Sequence, residues 1–174
     1  MPARTARRRV CVTTLATLLA VGFGACGGGG GTSTTAATSA PLTKSQLIEQ
    51  GDAICKEARD RFAQLQGSPP TTPDEVATFT QRVIGITESE VSRLRALNAP
   101  SHVKPALDRY LRAMEENIDV LKQGLKAARR SDAATYAKAQ AKTAEGQVKR
   151  LAYAQAVGFE QCSRPAGTAP SGSG

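Results

Sequence analysis

The sequence predicts an all-α fold: an antiparallel up-down-up-down four-helix bundle behind a short apolar leader and a flexible linker. Three observations carry that prediction. Four segments between Leu42 and Arg164 place apolar residues at steps of three and four, and no window alternates like a strand. The breaks between them, "GSPPTTP", "NAPSHVKP" and "RRSD", are short, and short connections favour antiparallel neighbours. A domain of this size buries roughly two-thirds of its unfolded surface, enough for one core.

The first helix opens on "TKSQ", where Thr43 and Gln46 have the spacing of a capping box. Behind it Leu47, Ile48, Ile54, Cys55, Ala58, Phe62 and Leu65 form the apolar stripe. The second opens on "TPDE", with Thr72 as cap, Pro73 in the first turn and Glu75 reaching back. Its stripe is Val76, Phe79, Val83, Ile86, Val91, Leu94 and Leu97. In the third, Leu107, Leu111, Met114, Ile118, Leu121, Leu125 and Ala128 alternate steps of four and three. "RRSD" closes it with basic residues on the negative end of the helix dipole, and Ser131 is expected to cap the fourth helix. That helix, about 132–161, is expected to turn Ala137, Ala141, Ala144, Val148, Leu151, Gln155 and Phe159 inward, small side chains that admit a close neighbour. Gly85, Gly124, Gly146 and Gly158 each cost up to ~1 kcal/mol without breaking the periodicity.

Ahead of the bundle, Arg4, Arg7, Arg8 and Arg9 precede an uncharged run from Val10 to Gly24. The run is shorter than the about 20 residues a spanning helix needs, and a basic head with a short apolar body reads as a secretory signal. Arg7-Arg8 lacks the flanks of a twin-arginine signal, so general secretion is expected. Gly24, Ala25 and Cys26 end the run, with Phe23 where leucine is usual, and this stretch resembles the lipobox of bacterial lipoproteins. The resemblance covers the first 26 residues and implies diacylglyceryl on the Cys26 sulfur and cleavage before it. It places the chain on the extracytoplasmic face of the cell membrane. The alternative is an ordinary signal cut after "GFGA", leaving a soluble secreted protein.

"GGGGGTSTTAATSAP" follows, a segment that cannot pack and that serves as a tether with a mean reach of roughly 21 Å. The expected organisation is signal 1–25, lipidated Cys26 with linker 26–41, bundle 42–164 and tail 165–174.

Of four cysteines, Cys11 leaves with the signal and Cys26 is taken by lipid. Cys55 and Cys162 remain, with one intramolecular pairing open to them; the alternative is two buried free thiols. In the bundle topology the start of the first helix lies beside the end of the fourth, which puts both on the same half. A metal site is not expected, because there is no C-x-x-C and His102 is the only histidine.

The net charge of +8 includes four signal arginines, leaving 19 basic and 15 acidic residues in the mature chain. The excess is concentrated in a candidate basic surface around the third connection: Lys122, Lys126, Arg129, Arg130, Lys138 and Lys142. An anionic cell-wall polymer or an acidic protein is the partner such a surface suits, against the plainer reading of a solvated face. Nucleic acid is not expected as a partner, with seven aromatic residues and none of the reading motifs.

No catalytic residue is identified: the chain has no G-x-S-x-G, P-loop or HExxH, and His102 lies in a Pro-flanked connection. Glu115, Glu116 and Asp119 read as exposed helical acids, and Tyr110, Tyr136 and Tyr153 as packing residues. No enzyme and no cofactor are expected.

"GDAICKEA", "LNAPSHVKPALDRYL" and "GFEQC" resemble helical lipoproteins of actinobacteria over most of residues 43–162. That resemblance implies the bundle and the Cys55–Cys162 pairing and brings no activity with it. Two function classes stand: a tethered binding or interaction module acting through the basic tip, and a carrier or sensor of a small apolar ligand between the helices. A structural spacer of the envelope is the third.

Overall fold

A computed structural model describes residues 40–165. The signal, Cys26, the linker up to residue 39 and the tail from residue 166 lie outside the described residues. Four helices make up the fold: α1 (Lys44–Gln66), α2 (Pro73–Arg95), α3 (Lys104–Ala128) and α4 (Ala133–Val157). Among the described residues there is no strand.

The first two helices start where their side chains can cap them. Thr43 accepts from the Gln46 amide while Gln46 Oε1 accepts from the Thr43 amide, and Thr72 and Glu75 repeat the exchange. Four α-helix N–H groups begin without intrahelical partners, and each box satisfies one while tying down the residue ahead. Hydrogen bonds from Thr71 and Thr72 also hold the Glu75 carboxyl below the usual carboxylate range. For α4 the cap is Asp132, not Ser131: Asp132 Oδ1 accepts from the Thr135 amide. Ser131 takes φ 53° in the turn and leaves the capping role to its neighbour.

Antiparallel order is written across the α2–α3 face. Arg95 pairs with Glu115, Lys122 with Glu88 at 2.8 Å, and Arg129 donates to Gln81 at 3.1 Å. Each step moves seven residues back on α2 and seven forward on α3, the register of antiparallel heptads. Exposed pairs of this kind contribute at most about 1 kcal/mol apiece. The core supplies the adhesion: all seven residues of the α3 stripe are buried, with Tyr110 fully enclosed beside them.

On α2 the buried stripe is Ala77, Thr80, Ile84, Thr87, Val91 and Leu94, one position round from the expected one over its first half. Val76, Phe79, Val83 and Ile86 are half-buried at its edge. On α4 the expected face is corrected. Ala139, Ala154 and Val157 are the buried positions, while Ala137, Ala141, Ala144 and Gln155 are exposed and Val148 is 71% exposed. The physical reason lies in what α4 faces, which is α3 and a short C-terminal segment rather than α1.

That segment is what closes the bundle. Helix α4 ends at Val157 because Gly158 adopts φ 103°, a left-handed conformation that glycine enters without strain. The chain then reverses along α1. Asp52 accepts from the amides of Glu160 and Gln161, Cys162 is bonded to Cys55, and Arg59 donates to the carbonyl and side chain of Gln161. Phe159 is buried edge-on against Tyr110, ring centres 5.9 Å apart. At the same end Leu42 donates to the Asn98 carbonyl, so the start of α1 sits by the α2–α3 connection.

Gly51 is where this closure is tightest, because a Cβ there would lie 2.3 Å from the Phe159 ring. Phe159 is enclosed and has nowhere to retreat. We expect Gly51→Ala to destabilise the fold by about 1–3 kcal/mol as overpacking, read by urea unfolding. An unchanged midpoint would show that the C-terminal segment is not held against α1 as described.

Candidate functional site

Along the half of the molecule beyond the disulfide, α1 and α4 are left apart, and a cleft of about 290 Å³ lies between them. From α1 come Ala58, Arg59, Phe62 and Gln66; from α4 come Gln140, Thr143, Gln147 and Arg150. Thr80, Val83, Thr87 and Glu90 of α2 and Met114, Asn117 and Leu121 of α3 form its inner side. Cys55, Gln161, Cys162 and Arg164 border the end where the chain is stapled. The sequence leaves this gap for a local reason. The α4 residues that face α1 are polar or charged, so burial offers no drive to bring the two helices together.

The inner side is unusual in its polar content. Thr80, Thr87 and Glu90 are buried, at 3%, 7% and 7% exposure, where a bundle interior is normally apolar. Both threonine hydroxyls donate back to their own helix, Thr80 to the Val76 carbonyl at 2.8 Å and Thr87 to Val83 at 3.0 Å. Glu90 receives no such help. Burial pushes its carboxyl up to about 7, and the charge of Arg150 pulls it back only in part.

Arg150 itself is turned elsewhere, donating to the Cys162 carbonyl at 3.4 Å and interacting with the Tyr110 hydroxyl. Burial raises the Tyr110 hydroxyl far above its ordinary value, the charge of Glu90 adding to this. Asn117 Oδ1 is enclosed without a hydrogen-bond donor, close to α4 where Gly146 lacks a Cβ that would fall 3.0 Å away.

The sequence-level candidates fall elsewhere. Lys122 and Arg129 belong to the α2–α3 ladder, so only part of the expected basic surface is open. Lys126, Arg130, Lys138 and Lys142 are exposed, with Asp132 between Arg130 and Lys138 in charge. This group lies at the α3–α4 connection, the end opposite Leu42. His102 is exposed in a turn. Glu115 and Glu116 are paired across helices, with Arg95 and Lys149. Cys55 and Cys162 form the disulfide, their Cα atoms 5.1 Å apart. A second, more open depression between α2 and α3 is lined by the Lys122–Glu88 and Arg95–Glu115 pairs, whose charges are already matched.

Sequence reasoning passed over Glu90, Thr80 and Thr87 because it followed apolar residues alone. A signal was present: Ala77, Thr80, Ile84, Thr87, Val91 and Leu94 keep the same alternation of threes and fours as α3, with Glu90 one turn before Leu94. Two threonines and a glutamate on a heptad stripe mark polar groups bound for the interior. Among the described residues no helix is long and apolar enough to cross a membrane. No protein-family model, curated protein or solved structure matches the chain.

Proposed function

We propose that this chain is a lipoprotein anchored through Cys26 on the outer face of the cell membrane, whose helical domain binds a small ligand in the α1–α4 cleft. The observation that carries the binding reading is a buried, donor-less glutamate opening on a cavity of about 290 Å³ with Phe62, Val83, Met114 and Leu121 around it. Ligand sites are concave and mostly apolar, with a few placed polar groups, and run from about 300 Å³ upward, so this one suits a small molecule. The disulfide and the Asp52 and Arg59 contacts hold one end of the cleft rigid, which reduces the ordering a ligand must otherwise bring about. Anchoring rests on the Gly24-Ala25-Cys26 signature.

Native mass spectrometry of the protein extracted from its host's membranes tests both parts at once. The expected spectrum carries a diacylglyceryl mass that stays on the chain and a smaller mass that leaves on activation. A non-lipidated chain contradicts the anchor, and a lipidated chain with no dissociable mass contradicts the ligand.

A second reading keeps the basic end as a contact for anionic envelope material. It is favoured by the exposure of Lys126, Arg130, Lys138 and Lys142 at the end of the domain remote from the tether.

A further inference from the structure

We propose that the cleft is selective for a small primary amine, its ammonium group seated against Glu90 and Thr87 and its apolar body running along α2 towards Val83. The inference rests on the cleft being a ligand site and names the class of ligand. What decides the class is the hydrogen-bonding state of the side chains at that end.

Several of the donors there are already engaged. Thr80 and Thr87 have given their hydroxyl protons to helix carbonyls, Arg59 donates to Gln161, and Arg150 is turned to the Cys162 carbonyl and the Tyr110 hydroxyl. What is left on α2 is acceptor: the Glu90 carboxyl and the remaining lone pairs of Thr87, one turn apart on the same helix face. A largely buried carboxyl that faces the cleft without a protein donor favours whatever brings one, and an ammonium brings three donors and a compensating charge. Seven residues of helix separate Glu90 from Val83, a rise of about 10 Å, which a short alkyl chain spans against Leu121.

The charged and titratable groups about Glu90 and the cleft come from four elements: Arg59 on α1, the neutral Tyr110 hydroxyl on α3, Arg150 on α4, whose charge acts on Glu90 directly, and Arg164 on the C-terminal segment. Three guanidiniums near the site make a carboxylate ligand the natural competitor, and the experiment is built to separate the two. Proton linkage supplies a further signature. With a carboxyl that loses its proton near pH 7, an arriving ammonium must displace that proton in mild acid and meets a ready carboxylate in mild base.

The test is calorimetric titration of the full chain with n-hexylamine, hexan-1-ol and hexanoate, which share a body and differ in the head. At about pH 8 hexylamine is expected to bind roughly tenfold more tightly than hexan-1-ol, the margin of a charge-assisted contact over a neutral one. That margin shrinks at about pH 5.5 and disappears in Glu90→Gln, while hexan-1-ol is held equally by both proteins. Thr143→Trp, which fills the α4 side of the cleft, is expected to abolish binding of the amine and the alcohol together. Hexanoate binding more tightly than hexylamine, or hexylamine matching hexan-1-ol, overturns the amine assignment while the cleft reading stands. Hexylamine binding that survives Thr143→Trp overturns the assignment as well. No heat from any of the three overturns both readings.

Discussion

Replacing Cys55 and Cys162 together with alanine is expected to lower the unfolding free energy by about 3–5 kcal/mol, the largest effect of any change considered. The bridge joins positions 107 residues apart, and closing a loop of that length removes up to ~4.7 kcal/mol of chain entropy from the unfolded state. For a domain of marginal stability that is a large fraction of the total.

The loss has a second component in the folded state. Without the bridge, the segment after Gly158 is held by Phe159, by the Asp52 caps on Glu160 and Gln161, and by Arg59, so its release exposes Tyr110 and the upper end of the cleft. Urea unfolding with and without reductant measures the total. Amide hydrogen exchange then shows whether Tyr110 and Phe159 lose protection ahead of the α2–α3 core, as expected. Equal stability of the oxidised and reduced chains would remove the staple from the account.

The second large effect is a dependence on pH that most bundles lack. Glu90 ionises near 4.5 in the unfolded chain and near 7 in the folded one, so between those values the folded state holds a proton that the unfolded state has lost. Stability therefore falls as pH rises through that window. The full difference is roughly 2.5 pKa units, or about 3 kcal/mol, reached above pH 7. Glu90→Gln is expected to flatten the profile, leaving the protein little changed below pH 4.5 and more stable than the parent above 7 by about 2–3 kcal/mol.

The exposed carboxylates act in the opposite sense and at lower pH. Glu57, Asp132 and Glu75 have values lowered by Arg93, by the Thr135 amide and by Thr71, so their contribution is present above their unfolded values and lost on acidification. The two windows do not overlap. Unfolding midpoints collected from about pH 2 to pH 9 separate them, and parallel profiles for parent and variant would mean that Glu90 is not buried as described.

Helix α3 was fully legible because its leucines contrast strongly with the polar residues between them, and all seven expected positions are buried. Both capping boxes were legible too, since the Thr-x-x-Gln/Glu spacing encodes its own geometry. Helix α4 was not. Alanine carries little hydrophobic contrast, so Ala137, Ala141 and Ala144 offered as good a stripe as Ala139 and Ala154, and only packing against α3 decides between them. The end of α4 was misplaced by four residues because a glycine inside a periodic pattern does not announce a left-handed turn.

The cleft was illegible for a deeper reason. It exists where two helices fail to meet, and a one-dimensional pattern records which residues are apolar, not which helices become neighbours. At its stapled end, the pairing of Phe159 with Tyr110 and of Cys162 with Cys55 spans over forty residues in one case and over a hundred in the other.

Methyl-resolved NMR of the intact domain, titrated with hexan-1-ol, is the most direct measurement of whether a small molecule enters between α1 and α4. The account predicts shifts concentrated on Ala58, Val83, Met114 and Leu121, with Leu47 and Val157 at the other end of the bundle left in place. Unmoved methyls in the first group, or equal shifts in both, would contradict it.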